Sequence, residues 1–519
     1  MPTTMPLSSP NAAAPLAAID IGSNSFRLEI AQLQHGRYRR LANLKESVRL
    51  GGGLDANGFL TEAAAQRGLD CLQRFAQRLQ GFAPSQVRAV ATQTLREAKN
   101  RDAFLARAEA TLSFPVEVVS GREEARLIYA GVSFLQPSDQ ARLVIDIGGR
   151  STEMIVGRGR MPERVESFKT GSVSLSMRWF PDGVFTAQRF RDAQVAAGAE
   201  LEEALEPFAP RHWQEALGSS GTAGALSQIL ASAGISDGTI TPDGLRWCQA
   251  QCLAAGSVDK LVLPSLRDDR KAIIGGGLAL LTTLTTQFGI AELRPAKGAL
   301  RQGVIIDLHE RHAARRQAHG GDLRDHTVGA LQARFDVDTQ QAGRVRAVAL
   351  GLLRSALPEL VDEDDSPSAN CDDSGQALRE LGWACDLHEM GQMVSHHDHH
   401  RHSAYLLANV DAPGFSQSQQ RRIADLVLGQ RGGLRKIEPQ LAQERFAWQV
   451  LALRLAVIKC HARGVVEPTA LGLKRDGKQA RLAFPRQWAD SNPRTLHLLR
   501  EEVDAWARQD SPRLVLVQG

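Results

Sequence analysis

The sequence predicts two duplicated α/β lobes that face each other across a cleft, followed by a mostly helical region and a short mixed segment at the end of the chain. The first observation is that Asp-Ile-Gly occurs twice, at Asp20–Gly22 and Asp146–Gly148, each time between an apolar run and a small or polar turn. The second is that strand and helix patterns alternate up to about residue 312, whereas helical patterns dominate after it. A repeated strand-turn-strand unit among alternating elements indicates that one α/β lobe was duplicated.

Composition narrows the class of protein. The chain has 519 residues, 43% hydrophobic and 23% charged, with a mean hydropathy of −0.24, as expected for a soluble protein of several domains. Its apolar runs are shorter than the ~20 residues that a membrane-spanning helix needs, and its first residues lack the basic and apolar regions of a secretion signal. Six scattered cysteines favour reduced thiols in the cytoplasm. The net charge of +4 neither requires nor excludes a polyanionic partner.

In the first lobe, apolar runs and turn residues predict each element in order. Residues before Leu16 are rich in Pro, Ser and Ala, which predicts a flexible leader. The runs Leu16–Ile21 and Phe26–Ala31 are joined by Gly-Ser-Asn-Ser, which predicts a β-hairpin. The later elements of this lobe are expected as a helix at Thr61–Leu79, a strand at Val87–Ala91, a helix at Ala103–Ala110, a strand at Val116–Val119 and a helix at Gly121–Phe134.

The second lobe opens with a strand, a turn and a strand over Leu143–Gly157. After it the pattern becomes helical with arginine-rich polar faces, as at Thr339–Leu353 and Gln419–Leu428. The acidic, small-residue stretch Val361–Gln376 predicts a solvated loop. The last elements are expected as strands at Leu471–Leu473 and Ala480–Phe484, a helix at Thr495–Ala507 and a strand at Leu514–Val517.

Three glycine-containing loops are candidate phosphate sites. The turns Gly22–Ser25 and Gly148–Thr152 each follow an aspartate at a strand end, and glycine lets the backbone approach a ligand closely. An ordinary β-turn explains one such loop, but two acidic strand ends beside two glycine turns could hold Mg²⁺ and phosphate between lobes. A third loop, Gly218–Gly224, precedes a helix and is either an anion site or a plain helix entry.

The segment Ser120–Arg126 begins a helix and has two interpretations. Ser120 can cap the helix, and Glu123 and Glu124 lie where the helix dipole favours negative charge. A glutamate at this position could also be the general base for a water that attacks phosphorus. Periodicity alone leaves both roles open.

Taken together, nine segments resemble the exopolyphosphatase / guanosine pentaphosphate phosphohydrolase family over nearly the whole chain. They are AIDIGSNS at Ala18–Ser25, ATQTLREA at Ala91–Ala98, SGREEARLIYAGV at Ser120–Val132, VIDIGGRSTE at Val144–Glu153, SSGT at Ser219–Thr222, GALRQGV at Gly298–Val304, LHEMG at Leu387–Gly391, HRHSAYLLANVDAPGF at His400–Phe415 and FPRQW at Phe484–Trp488. The resemblance implies an α/β fold with two actin-like (ribonuclease H-like) lobes, a helical HD-like domain and a small α+β C-terminal domain. The corresponding ranges are 1–15 for the leader, 16–135 and 136–312 for the lobes, 313–465 for the helical domain and 466–519 for the last domain.

The same resemblance implies site residues and cofactors. Glu124 would be the catalytic base, and Asp20, Asp146 and Glu153 would serve Mg²⁺, with K⁺ as a candidate activator. The residues implied to bind phosphate are Gly22, Ser23, Asn24, Ser25, Arg96, Gly148, Gly149, Arg150, Ser151, Ser220, Gly221 and Thr222. Arg150 departs from the family, which has a small residue there, so it either blocks phosphate or adds a cation to its site.

A cluster of histidines, His388–His402, lies where the HD-like domain is expected. A metal-binding HD site uses adjacent His and Asp with further ligands, whereas this chain has His388-Glu389 at one motif and His397-Asp398 inside a histidine run. A second metal site, packing or surface histidines, and contacts with a polyanion at acidic pH are the three alternatives.

The activity that the resemblance implies is Mg²⁺-dependent hydrolysis of the terminal phosphate of inorganic polyphosphate by base-activated water. The alternative substrate is guanosine 5′-triphosphate 3′-diphosphate (pppGpp), which would give ppGpp. Two other classes are a kinase-like ATP phosphotransferase on the same fold and a polyphosphate-binding regulator without activity. We expect a cytoplasmic homodimer with no nucleic-acid partner and no integral membrane association, and peripheral contact with a membrane is left open.

Overall fold

Two five-stranded sheets organise the first part of the chain in the computed structural model of the protein. The structure describes residues 14–316, 322–360, 372–464, 470–509 and 512–518. Residues 1–13 of the predicted leader lie outside the described residues. Contacts divide the chain into two units, Met1–Gly320 and Gly321–Gly519, and each is described by itself.

Lobe I has the strand order β3-β2-β1-β4-β5. Its elements are β1 (Leu16–Ile21), β2 (Phe26–Gln34), β3 (Arg37–Glu46), α1 (Glu62–Arg78), β4 (Val87–Ala91), α2 (Gln93–Glu97), α3 (Arg101–Leu112), β5 (Val116–Val118) and α4 (Gly121–Leu135). The predicted hairpin is confirmed, because β1 and β2 pair antiparallel with Asp20 opposite Arg27. Strand β3 was not predicted, since it is polar and mostly solvent-accessible and so has no apolar run.

Lobe II has the order β10-β9-β6-β7-β8, in which β6 takes the place of β1. Its elements are β6 (Ala141–Ile147), β7 (Thr152–Arg158), β8 (Met161–Phe168), α5 (Ser172–Trp179), α6 (Ala187–Leu201), β9 (Glu215–Gly218), α7 (Gly221–Ser232), α8 (Pro242–Ala255), α9 (Asp268–Lys271), α10 (Ile274–Gln287), β10 (Leu293–Pro295) and α11 (Leu300–Arg316). In both lobes three antiparallel strands are followed by two parallel ones. The predicted duplication is therefore confirmed.

Helices α4 and α11 cross closely and join the two lobes. A Cβ atom at Gly303 would overlap the carbonyl oxygen of Leu127, and one at Gly131 would lie 2.5 Å from the carbonyl oxygen of Ala299. Apolar residues of these helices share a core with both sheets, as Val90 and Val144 illustrate. The predicted boundary at residue 312 stays a prediction, although α11, which packs against lobe I, continues to Arg316.

The second unit consists of helices followed by a three-stranded sheet of order β11-β12-β13. Its elements are α12 (Leu323–Arg334), α13 (Thr339–Ala356), α14 (Asp372–Leu387), α15 (His399–Asn409), α16 (Gln417–Gly429), α17 (Glu438–Leu441), α18 (Glu444–Lys459), β11 (Gly472–Asp476), β12 (Gln479–Phe484), α19 (Arg486–Ser491), α20 (Pro493–Trp506) and β13 (Arg513–Gln518). The loop predicted at 361–376 is wrong for its last five residues, which begin α14, and residues 361–371 lie outside the described residues.

The helices before residue 465, the predicted domain boundary, pack together with the segment after it. Residues of α18, such as Trp448, and residues of the final segment, such as Leu482 and Trp506, belong to one apolar core. A buried ion pair joins the same elements, because Arg454 of α18 donates to Glu502 of α20 through Nε over 2.5 Å and through Nη2 over 2.8 Å. The indole of Trp506 also donates to Glu502, over 2.6 Å.

Two predictions about the whole chain can be compared with the described residues. Within them, no helix combines the length and the apolar character that crossing a membrane requires. Five cysteines are buried free thiols, at Cys71, Cys248, Cys252, Cys385 and Cys460, while Cys371 lies in a range that the structure does not describe.

We expect the substitution Glu502→Ala to lower the free energy of unfolding of the second unit by about 3 kcal/mol, because it leaves the buried Arg454 without its carboxylate. Urea unfolding of the full chain measures this change. The matched control is Glu501→Ala, which removes an exposed carboxylate from the same helix and should change stability by less than about 0.5 kcal/mol. Equal effects of the two substitutions would contradict the shared core.

Candidate active site

Three loops and the first turn of α4 meet in one cleft between the lobes. Most predicted site residues line it: Asp20, Gly22, Ser23, Asn24, Ser25, Glu124, Asp146, Gly148, Gly149, Ser151, Ser220, Gly221 and Thr222. Three predicted residues, Arg96, Arg150 and Glu153, do not belong to this lining and are placed below. The duplication explains the convergence, since loop 1 (Gly22–Ser25) and loop 2 (Gly148–Ser151) follow the equivalent strands β1 and β6.

Loops 1 and 2 face each other at short range. A Cβ atom at Gly149 would lie 3.1 Å from the Cβ atom of Ser23, so glycine is needed for this approach. Neighbouring residues of lobe I anchor loop 1. The amide of Gly51 donates to the carbonyl oxygen of Ser23 over 2.7 Å. The hydroxyl of Thr94 donates to the hydroxyl of Ser23 over 2.8 Å. These contacts fix a narrow gap between two backbones.

Loop 3 (Ser219–Thr222) forms the N-terminal end of α7. Ser220 caps this helix, because its Oγ accepts from the amides of Thr222 over 3.2 Å and Ala223 over 3.0 Å. This capping confirms the helix entry expected from the sequence, and because the same turn lines the cleft, the anion-site alternative stays a prediction. Beside it stand the guanidinium groups of Arg270 and Arg27, which would contact a Cβ atom at Gly221. Two cations at the positive end of a helix dipole attract an anion.

Glu124 is buried at the start of α4, where it faces the cleft. Ser120 caps this helix by accepting from the amide of Glu123 over 3.1 Å, so the capping interpretation holds for Ser120. Arg96 of α2 donates from Nη1 to Oε2 of Glu124 over 2.7 Å. Burial raises the pKa of Glu124 to about 7, against the opposing charge of Arg96 and with help from Asp20 and Asp146. A carboxylate with this pKa can accept a proton near neutral pH.

Three further carboxylates lie around the cleft. Burial raises the pKa of Asp20, while the positive charges of Arg301 and Arg27 lower it. Burial also raises the pKa of Asp146, although Ser219 donates a hydrogen bond to it. Glu153 is buried on β7, where it accepts from the hydroxyl of Ser167 over 2.8 Å.

The carboxylates influence one another electrostatically. Burial, and after it the negative charges of Glu124 and Asp146, raise the pKa of Glu153 well above its ordinary value. Such a collection of buried acidic groups is typical of a functional site, because packing alone would not favour it. The negative charge of these groups favours the binding of a cation in the cleft.

The residues Asp20 and Asp146 fit a site for Mg²⁺ in which the protein supplies few ligands. Within the described residues, no group of three or more His, Cys, Asp or Glu side chains is arranged to hold a metal ion. Mg²⁺ commonly uses one or two carboxylates and completes its shell with water and phosphate oxygens. Asp20 and Asp146 line the cleft with the glycine-containing loops, and burial raises the pKa of each carboxyl, an effect that a bound cation would oppose.

Three arginines in the cleft were not predicted from the sequence. Arg27, Arg270 and Arg301 all belong to its lining. Burial and the neighbouring charge of Arg301 lower the pKa of Arg27 to about 10, and burial lowers that of Arg270. Arg27 lies two residues beyond loop 1 and Arg301 lies in the motif GALRQGV, so both stood near recognised motifs. Arg270 belongs to a charged stretch, Asp268–Lys271, which looks like any solvated helix face.

Arg150 does not take the predicted place in a phosphate site. Its side chain crosses to lobe I, where Nε donates to Oε2 of Glu97 over 2.9 Å and Nη1 donates to the carbonyl oxygen of Gly51 over 3.2 Å. A carboxylate and a carbonyl oxygen together satisfy the guanidinium better than open solvent in the cleft. Arg150 therefore neither blocks the phosphate loops nor adds a cation to them in this structure.

The histidine cluster belongs to the second unit, where His388, His396 and His399 line a cavity. His388, His399 and His400 are buried, whereas the side chain of His397 is 93% exposed. Nδ1 of His388 donates to the carbonyl oxygen of Cys385 over 2.7 Å. Burial lowers the pKa of His399 and of His400 to about 4, so both are neutral above that pH. Across the described part of the chain no metal-binding group includes them.

Comparisons with known proteins point to one family. A model of the Ppx/GppA phosphatase family matches residues 29–312, and a model of domain III of the Ppx/GppA phosphatases matches residues 323–503. A curated protein of Aeromonas hydrophila, called guanosine-5′-triphosphate,3′-diphosphate pyrophosphatase, is 34% identical over 507 residues, which cover 96% of this chain and 98% of that protein. A protein of the same name from Pseudoalteromonas atlantica is 35% identical over 484 residues, which cover 92% of each. The crystal structure of an exopolyphosphatase from Cytophaga hutchinsonii is 25% identical with a TM-score of 0.52, and the match covers 57% of this chain and 97% of that one.

We expect Glu124→Gln to stabilise the ligand-free protein at pH 8. Because the folded-state pKa of about 7 exceeds the ordinary value of 4.5, the ionised carboxylate destabilises the fold at a pH above both values, by about 3 kcal/mol. Urea unfolding at pH 8 should show that gain for the variant, and the gain should vanish near pH 4, where both side chains are neutral. The control is Glu200→Gln on the exposed face of α6, which should leave the free energy of unfolding unchanged at pH 8 and at pH 4. A variant less stable than wild type at pH 8 would contradict the assigned environment.

Proposed function

The chain belongs to the Ppx/GppA phosphatase family, and we propose that it hydrolyses the 5′-terminal phosphate of pppGpp to give ppGpp and orthophosphate. It is a hydrolase that acts on phosphoric anhydrides. The observation that carries the proposal is a single cleft that combines a buried carboxylate of raised pKa with three arginines and three glycine-containing loops. A water to deprotonate and a charged phosphate to hold are what phosphoryl transfer requires of a protein.

Glu124 acts as the general base. Its pKa of about 7 means that a large share of the molecules carry the ionised form at neutral pH, while that form still has a high affinity for a proton. Arg96 holds the carboxylate through Oε2, which leaves the other oxygen to accept the proton of the attacking water. The water then attacks the terminal phosphorus, and the bridging oxygen of the next phosphate leaves.

The arginines and the loops hold the phosphates. Arg27 and Arg270 stand at the first turn of α7, so phosphate oxygens placed there would meet two guanidinium groups at the positive end of a helix dipole. Bound phosphate would also relieve the mutual repulsion of Arg27 and Arg301 that helps to lower the pKa of Arg27. The backbones of loops 1 and 2 supply further amides across the narrow gap.

Asp20 and Asp146 are the residues that would hold Mg²⁺, and Glu153 would serve the waters bound to the ion. When bound, the ion supplies positive charge that neutralises phosphate oxygens and orients them. K⁺ as an activator, the homodimer and the cytoplasmic location, with or without peripheral membrane contact, stay predictions of the resemblance. The buried free thiols support a reducing compartment.

Inorganic polyphosphate was the substrate expected first from the sequence, and the curated relatives favour the alternative. Four relatives, each matching more than nine-tenths of this chain at 34–35% identity, are all called pppGpp pyrophosphatases. The structure from Cytophaga hutchinsonii that is called an exopolyphosphatase covers little more than half of the chain. We therefore place pppGpp first and keep polyphosphate as the second candidate. The same relatives give no support to a kinase-like phosphotransferase or to a regulator without activity.

Orthophosphate release should be faster from pppGpp than from long-chain polyphosphate when both are assayed with Mg²⁺ at pH 8. Glu124→Gln should lower kcat by about 10²–10⁴-fold on both substrates, because the general base is lost while the shape of the side chain remains. In the wild type, kcat/KM should fall about tenfold per pH unit below about pH 7 as Glu124 becomes protonated. Faster release from polyphosphate would restore the first expectation, and unchanged kcat in the variant would remove Glu124 from the mechanism.

The arginine cluster has a different expected kinetic effect. Arg27→Ala should raise KM for pppGpp by about tenfold or more, since it removes a charge-assisted contact with phosphate. Steady-state kinetics at two ionic strengths checks this, because added salt should weaken the wild type more than the variant. The control Arg107→Ala removes an arginine from an exposed ion pair with Glu62 and should leave KM unchanged. A KM for Arg27→Ala equal to that of wild type would exclude Arg27 from substrate binding.

A further inference from the structure

Arg150 is connected to Glu124 by an unbroken series of hydrogen bonds through α2. Nε of Arg150 donates to Oε2 of Glu97 over 2.9 Å. Nε2 of Gln93 donates to Oε1 of Glu97 over 2.6 Å, and Nε of Arg96 donates to Oε1 of Gln93 over 2.8 Å. Nη1 of Arg96 completes the series at Glu124. A side chain of lobe II is thereby linked to the base on lobe I.

Glu97 and Arg96 together fix the orientation of the Gln93 amide that lies between them. A carboxylate accepts hydrogen bonds at both oxygens, so it can receive Arg150 on one side and Gln93 on the other. The amide of Gln93 must then turn its nitrogen to Glu97 and its oxygen to Arg96. An uncharged amide in place of Glu97 could accept at one end only, and one of the two donors would lose its partner.

Arg150 makes its contacts only where the two lobes come together. Nη2 of Arg150 lies 2.9 Å from the same oxygen of Glu97, so the pair is a two-pronged contact, and less than a third of each side chain is exposed. Nη1 reaches the carbonyl oxygen of Gly51, whose own amide holds Ser23 of loop 1. Separation of the lobes would break the contacts with Glu97 and Gly51 together.

Without Arg150, Glu97 would retain a negative charge close to Arg96. Nη2 of Arg96 is buried and has no hydrogen-bond partner in the described structure, so Arg96 has an unused donor. An unpaired Glu97 would compete with Glu124 for this guanidinium. Arg150 therefore neutralises Glu97, so that Arg96 keeps its hydrogen bond with Glu124.

We propose that Glu97 is a positioning residue that couples closure of the two lobes, through Arg150, to the placement of Arg96 and Glu124. The proposal rests on the proposed role of Glu124 in hydrolysis. It assigns to Arg150 a task in the contact between the lobes instead of one in phosphate binding. It also explains how a long side chain is accommodated where the family resemblance implies a small one.

The test compares Glu97→Gln, Arg150→Ala and the double variant in steady-state hydrolysis of pppGpp with Mg²⁺. Each single variant should lower kcat about tenfold with KM within about twofold of wild type, since a misplaced base slows the chemical step more than binding. The double variant should lose no more than either single one, because both act through the same link. Arg150→Lys, which keeps the charge, should retain more activity than Arg150→Ala.

The matched control is Glu166→Gln. Arg122 and Glu166 also pair across the lobes, over 2.6 Å, but both side chains are exposed, at 45% and 38%. This control should keep the wild-type kcat. Additive losses in the double variant, a change confined to KM, or an equal loss in Glu166→Gln would overturn the proposal.

Hydrogen exchange separates this proposal from the proposed function. Without substrate, the amides of α2 and of loop 2 should exchange faster in Glu97→Gln and in Arg150→Ala than in wild type and Glu166→Gln. If wild type releases no phosphate from any substrate, the proposed function fails while this measurement still reports on the link. Unchanged exchange in both variants would overturn the link itself.

Discussion

The close crossing of α4 and α11 determines where Glu124, the proposed base, stands relative to both lobes. Gly131 and Gly303 allow the two backbones to approach to a distance that any side chain would prevent. Two buried ion pairs reinforce the crossing, because Asp307 of α11 accepts from Arg126 of α4 over 2.6 Å and from Arg88 of β4 over 2.7 Å. Since α4 carries Glu124 in its first turn, the joint that holds the lobes together also sets the position of the chemistry.

The charges of the cleft reflect a balance between stability and function. Buried carboxylates on both lobes raise the pKa of Glu124 and Glu153, and burial with the charge of Arg301 lowers the pKa of Arg27, so neither set is at its most stable. In the ligand-free protein the buried carboxylates and arginines neutralise each other only partly, as the 3.7 Å separation of Asp20 and Arg301 illustrates. Glu29 also holds Arg301 in place, because Oε2 of Glu29 lies 3.4 Å from Nε of Arg301. Substrate phosphates and a divalent cation would complete the balance.

Much of this architecture could be predicted from the sequence, and the exceptions have physical reasons. The duplicated hairpins and the loops around Asp20 and Asp146 were predictable, because glycine and acidic residues at strand ends are constrained by local chemistry. Arg150 was placed wrongly, since a sequence motif fixes where a long side chain starts and not which way it extends. Burial that is shared across residue 465, as by Trp448 and Trp506 in one core, could not be predicted, because it leaves no signal in local composition.

Hydrolysis of pppGpp in water enriched in ¹⁸O tests the central claim most directly, because it shows which phosphorus the water attacks. A base at Glu124 that activates water against the terminal phosphorus predicts one ¹⁸O atom in each orthophosphate released, with none in ppGpp. Mass spectrometry of both products measures the label. Label in the nucleotide, release of diphosphate instead of orthophosphate, or orthophosphate without label would contradict the account.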